Sequence, residues 1–167
     1  MWIRPLIFTW PYFLVFWVPH LWAMGPEMRI MRDARRDSRK EGSKDRGSAN
    51  FIFVFGQIGM FASLFFAFVR FGAMTPRLPL FYAGVVLLIC GALLRRHCWR
   101  VLGEYFTGDV RAEADQPVID KGAYRFVRHP SYTAGMLLFV GVGLALGNWS
   151  GFALLMTSVI AGYVVRV

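Results

Sequence analysis

Residues 132–165 read YTAGMLLFVGVGLALG-N-WSGFALLMTSVIAGYVV, two apolar runs with a single asparagine between them and no charged side chain in either. The runs, Tyr132–Gly147 and Trp149–Val165, are too long for ordinary strands and show no polar alternation, so they read as helices. Each falls short of the roughly 20 residues that an ordinary transmembrane helix needs. The expectation is a tight helical hairpin that turns near Gly147-Asn148-Trp149 and reaches only part of the way across a bilayer. Upstream lie three more apolar stretches, Leu6–Met24, Phe51–Val69 and Leu78–Leu94. The first two have the length of a span, and the third opens with Pro79 where a helix tolerates proline.

Composition supports that reading. The 167 residues are 56% hydrophobic and only 17% charged, with 16 Phe and 6 Trp, and the mean hydropathy is +0.45. A water-soluble domain of this size could not cover so much apolar surface, and disorder is excluded by the same figures. The fold expected is an all-α integral membrane protein of about five transmembrane helices. No cleavable leader is indicated, because the first run is interrupted by Pro11 and Pro19 and lacks a small-residue exit.

The net charge of +9 and a pI near 10.3 mark membrane orientation rather than a nucleic-acid surface. Eight basic residues (Arg29, Arg32, Arg35, Arg36, Arg39, Lys40, Lys44, Arg46) fall between the first two stretches. Seven more (Arg95, Arg96, Arg100, Arg111, Lys121, Arg125, Arg128) fall between the third and the hairpin. The alternate side holds only Arg4, Arg70 and Arg77. The positive-inside rule then puts the N-terminus outside and the C-terminus in the cytoplasm. The stretch Glu27–Arg46 also carries five acidic residues, and reads as a solvated helix extension and linker that sets topology rather than as a lipid-binding site.

Several conspicuous residues receive packing roles. Gly56 and Gly59, Gly84 and Gly91, and Gly135, Gly141, Gly143 and Gly147 let membrane helices approach closely. Gly141-Val142-Gly143 lies in an apolar run, outside any strand–turn–helix context for a nucleotide loop. Cys90 and Cys98 are expected to be buried packing residues, since no CxxC or Cys/His metal spacing occurs. His20 and His97 stand near span ends, with their polar tips at the interface and no assigned chemistry. The division expected is a three-span part over residues 1–94, with a basic cytoplasmic loop at 25–50, and a core over residues 95–167. That core comprises a cytoplasmic segment at 95–131 and the hairpin at 132–165.

The segment with chemistry in it is RRHCWRVLGEYFTGDVRAEADQPVIDKGAYRFVRHPSY, residues 95–132. Gly122 offers a position without a Cβ, and Tyr124, Arg125, Arg128, His129 and Tyr132 follow within ten residues. Pro130 disfavours a helical conformation at His129, so a helix should start near Ser131, with Ser131 as its cap. Its free backbone N–H groups would sit beside an imidazole, a guanidinium and two phenols. The residues alone allow two readings: a site for a polar ligand such as a nucleotide or carboxylate, or an aromatic and basic anchor at headgroup level.

The run KGAYRFVRHPSYT (121–133) resembles the signature G-x-Y-x-x-x-R-H-P-x-Y of the isoprenylcysteine carboxyl methyltransferase family, which is related to the phospholipid methyltransferases. The resemblance extends upstream to Leu102-Gly103 and Gln116-Pro117-Val118-Ile119, and downstream through the hairpin to Tyr163-Val-Val-Arg166. It implies a membrane-embedded methyltransferase that uses S-adenosylmethionine without a Rossmann domain. Cofactor contacts would come from Gln116, Pro117, Val118, Ile119, Tyr124, His129, Pro130, Ser131 and Tyr132. Arg166 would stand where a lipophilic methyl acceptor drawn from the bilayer meets the cofactor. The physics agrees: the cofactor's charged end needs polar partners, its adenine needs an apolar wall, and an Arg at the bilayer edge must face the site or water. No catalytic acid or base is assigned, because a carboxylate or thiolate acceptor needs chiefly placement and exclusion of water.

Two departures stand out. Ala134 occupies a position where family members have Gly. They also carry a glutamate pair about one turn beyond Arg166, whereas these residues contain no Asp or Glu after Asp120. The expectation is either a shortened chain or a variant without that contact. The competing readings are an NADPH-dependent reductase of the sterol-reductase type, whose related R-H-P-N-Y motif has Asn where Ser131 stands, and a non-catalytic membrane subunit. The expected location is a multi-pass membrane position with the site facing the cytoplasm: the inner membrane of a bacterium or the endoplasmic reticulum of a eukaryote. The methyl acceptor stays open between an isoprenylated cysteine, a smaller isoprenoid or thiol, and a phospholipid amine.

Overall fold

The computed structural model describes residues 2–37, 48–103, 121–127 and 129–166. Among them are five α-helices: α1 (Tyr12–Asp37), α2 (Ser48–Ala67), α3 (Arg77–Leu102), α4 (Pro130–Leu146) and α5 (Trp149–Arg166). Two short 3-10 turns, Leu6–Phe8 and Gly122–Arg125, precede α1 and α4. Of the five, α3 is long and apolar enough to cross a membrane, and shorter apolar helical stretches occupy Tyr12–Gly25, Val54–Ala67, Pro130–Leu146 and Trp149–Val164.

The helices meet through their small residues. A Cβ added to Gly84 would lie 2.6 Å from both Ala145 N and Gly141 O. One added to Gly141 would lie 2.5 Å from Leu88 N, and one on Gly91 2.7 Å from Leu138 N. The backbones of α3 and α4 therefore touch along an antiparallel line, as small residues permit in lipid. The antiparallel pair α2 and α5 uses the same device at Gly59, against Leu155 and Ser158, and at Gly151, against Ser63. Between these contacts lie Phe81, Val85, Leu88, Leu138, Val142, Leu146, Leu155 and Val159, all buried. The outward faces are apolar too: Val54, Ile58, Phe61 and Phe65 on α2, and Leu78, Tyr82, Val86 and Leu93 on α3 are exposed. Helices that are apolar on every side suit a hydrocarbon surround rather than water.

The hairpin turns where its sequence places the turn. Gly147 closes α4 at φ +73°, and Asn148, 1% exposed, serves both neighbouring segments. Its Oδ1 accepts from Ser150 N and Gly151 N at the start of α5. Its Nδ2 donates to Val69 O and Phe71 O in the α2–α3 connection.

Four expectations need correction. The first apolar stretch is not one helix, since Leu6–Phe8 forms a separate turn and α1 starts at Tyr12, just after Pro11. His20 is not at an interface: it is 8% exposed, stacked on Phe16 at 5.3 Å, and its Nδ1 has no hydrogen-bond partner among the described residues. Cys90 is exposed, whereas Cys98 is buried. Most consequentially, α3 continues eight residues past Leu94, to Leu102. Arg95, His97 and Cys98 therefore ride on the last turns of α3. The apolar positions Cys98, Trp99, Val101 and Leu102 sustain the helix beyond the paired arginines.

Candidate functional site

The last turns of α3 gather the pieces of the Gly122–Tyr132 motif. Arg95 and Cys98, three residues apart, share one face of the helix. Arg95 Nη1 donates to Ser131 O at 3.0 Å and also reaches Ser131 Oγ. Cys98 pairs with the Tyr124 hydroxyl. His97, on the same turn, packs directly against Gly122: a Cβ there would collide with His97 Nε2. At φ +59° Gly122 also holds a backbone conformation that strains other residues. The first part of the motif is thus pinned at Gly122 and Tyr124, and the last part at Ser131.

Helix α4 begins at Pro130, with His129 as its N-cap and no side-chain cap hydrogen bond. Proline suits this first position because its missing N–H would have no partner in the helix. Ser131 is accordingly not the cap; it is the second helical residue, and its hydroxyl belongs to Arg95. The His129 carbonyl accepts from Tyr132 N at 3.1 Å and Thr133 N at 3.4 Å. The exposed His129 stacks on Tyr132 at 5.5 Å, and Tyr132 leans on Tyr163 of α5 at 5.2 Å. Tyr163 reaches into the space beside Gly135, where a Cβ would meet its hydroxyl. Three rings thus lead from the α4 N-terminus toward the end of α5, which closes with Arg166.

The electrostatics of this end are positive and partly shielded. Burial pushes the Tyr124 phenol above its ordinary value, with the charge and hydrogen bond of Cys98 acting in the same direction and Arg95 opposing. Tyr124 therefore keeps its proton and acts as a donor. Arg96, on the neighbouring face of α3, lies over the Trp22 ring at 3.7 Å and donates to Trp22 O at 2.6 Å, which fastens α1 to the same end of the bundle.

Of the residues singled out in the sequence, Tyr124, His129, Pro130, Ser131 and Tyr132 come together here. Gln116, Pro117, Val118 and Ile119 lie outside the described residues, as does the side chain of Arg166. Arg95, Cys98 and Tyr163 are participants that the sequence reading missed. The i, i+3 spacing of Arg95 and Cys98 carried a signal, legible once α3 is extended to Leu102.

Comparison with known proteins points the same way. Residues 80–167 match the phospholipid methyltransferase family. Two curated relatives, each named a probable protein-S-isoprenylcysteine O-methyltransferase, come from Oryza sativa subsp. indica and subsp. japonica. Each is 33% identical over 69 residues, 40% of this chain and 36% of the relative. The match thus spans little more than a third of those relatives' length. No solved structure matches the chain. The matched residues start inside α3 and take in the whole Arg95–Tyr163 assembly: the chain belongs to the phospholipid methyltransferase family and is related to the isoprenylcysteine O-methyltransferases.

Proposed function

We propose that the chain is a membrane-embedded, S-adenosylmethionine-dependent methyltransferase acting on a lipophilic acceptor, with its site at the cytoplasmic face. The observation that supports this reading is that α3 carries the partners of both halves of the motif, Cys98 for Tyr124 and Arg95 for the first turn of α4 where His129 stacks on Tyr132, within the part of the chain that matches the family. The described residues fit such a cofactor. An exposed imidazole at a helix N-terminus, near a guanidinium, suits a carboxylate, and the Tyr132 ring offers a flat apolar surface. When bound, S-adenosylmethionine supplies a methyl group already activated by its sulfonium. What remains for the protein is to hold the acceptor in line and keep water away. Tyr124 donates without ionising, and the Tyr132–Tyr163 pair walls the site toward the apolar helices. Arg166, at the end of α5, is proposed to meet the acceptor.

The test is calorimetric titration of S-adenosylhomocysteine into the full chain in detergent. Saturable binding is expected, and His129→Ala should weaken it by about ten-fold if one charge-assisted hydrogen bond is lost. Absence of binding to the wild-type chain, with thermal stabilisation by NADPH instead, would reverse the reading in favour of a reductase.

A further inference from the structure

The motif is presented by a helix that lies outside it. Arg95 is thirty-six residues from Ser131 in sequence, yet its guanidinium reaches both the Ser131 carbonyl and the hydroxyl. Both acceptors belong to the first turn of α4, the turn that carries His129 and Tyr132. That turn has no side-chain cap of its own. Below it, α4 is located by backbone contact at Gly91 and Gly84. Above the Gly91 contact, Arg95 makes a polar link between α3 and the start of α4. Both bonds leave one nitrogen, Nη1, and because they end on two different atoms of Ser131 they constrain orientation as well as distance. The ring stack from His129 through Tyr132 to Tyr163 depends on that orientation, because a helix that rotates at its first turn carries Tyr132 off Tyr163.

We propose that Arg95 is a positioning residue of the cofactor site: by holding Ser131 it sets where the first turn of α4 presents His129 and Tyr132. The proposal rests on the cofactor reading above. It assigns Arg95 no contact with the ligand or the reacting atoms, only an action through Ser131.

Two measurements test it. In the first, S-adenosylhomocysteine is titrated into the wild type, Arg95→Met, Arg95→Lys, Ser131→Ala and the Arg95→Met/Ser131→Ala double variant. Arg95→Met should weaken binding by about ten-fold, the size expected for loss of a charge-assisted hydrogen bond. Arg95→Lys, which restores a charged donor, should recover most of that loss. In the Ser131→Ala background the effect of Arg95→Met should shrink, since part of its acceptor is already gone. Unchanged binding in Arg95→Met, or strictly additive losses, would overturn the proposal. The second measurement needs no ligand: amide hydrogen exchange of the same chains in detergent micelles. Arg95→Met should speed exchange at Thr133–Gly135, Arg95→Lys should slow it again, and the α2–α5 pair should be unchanged, which shows that the bundle is folded. Unchanged exchange at Thr133–Gly135 would overturn the proposal however the ligand behaves. If exchange responds as expected but the wild type binds no S-adenosylhomocysteine, the cofactor reading fails and the positioning of α4 by Arg95 stands.

Discussion

At the scale of single residues, Tyr124 shows how a side chain named by a motif acquires its properties from partners outside it. Burial, reinforced by Cys98, raises its phenol above the ordinary value near 10. The native chain thus keeps a proton that the unfolded chain releases as pH climbs past about 10. The stabilising contribution is complete below that pH and is lost above it. Thermal denaturation in detergent from about pH 9 to about pH 11 should therefore show a steeper loss of stability for the wild type than for Tyr124→Phe. Equal slopes would place the Tyr124 hydroxyl in water. The helix start between His129 and Tyr132 was legible in the sequence because Pro130 marks it. The contacts of Arg95 and Cys98 were not, since each meets a partner far along the chain and their shared face emerges only when α3 runs on to Leu102. Ser131 was misread for a related reason: a serine after proline looks like a cap, but Pro130 already starts the helix and leaves the Ser131 hydroxyl to Arg95.

At the scale of elements, the site depends on how closely α3 and α4 approach. Their contact is backbone on backbone at Gly84, Gly91 and Gly141, so even a methyl group must push the pair apart. Gly141→Ala is expected to destabilise the chain by about 1–3 kcal/mol, the range for overpacking a tight interior. Gly25→Ala is the control: nothing lies within 4 Å of the added Cβ, and alanine favours a helix by up to about 1 kcal/mol. Denaturant titrations of the two variants should move in opposite directions; a neutral Gly141→Ala would mean that the helices are not in contact there. The hairpin and its glycines were readable because their composition can hardly fold otherwise. The length of α3 was harder, because Arg95-Arg96 mimics the end of a span. A helix does not end where its environment turns polar, and α3 carries on for two further turns that become the scaffold of the site.

At the scale of the whole molecule, polar and apolar surfaces are sorted by end. One end holds Arg95, Tyr124, His129 and the N-terminus of α4. The other holds the connection before α3, where Ala73 pairs with Asn148, Ile3 N donates to Phe68 O at 2.9 Å and Arg77 donates to Arg4 O at 2.9 Å. Between the ends the helices are apolar both inside and out, which is how a bundle surrounded by lipid satisfies its backbone within the helices and still has nothing polar to expose. The order of the apolar stretches made this separation foreseeable, whereas the pairing of α3 with α4 and α2 with α5 was not, because glycine spacing alone does not say which helix it meets. The charge pattern predicts an orientation: fifteen basic residues fall in the two segments between the first and second and between the third and fourth apolar stretches, against Arg4, Arg70 and Arg77 on the alternate side. With Cys90 replaced by serine to silence the exposed thiol and Cys98 left buried, an introduced cysteine reports on each end, Phe71→Cys on one and Arg125→Cys on the other; both native side chains are exposed. In intact cells a membrane-impermeant maleimide should label Phe71→Cys at once, and Arg125→Cys only after permeabilisation. The reverse pattern would invert the topology, and labelling of both in intact cells would mean that the two ends do not lie on opposite sides of a membrane.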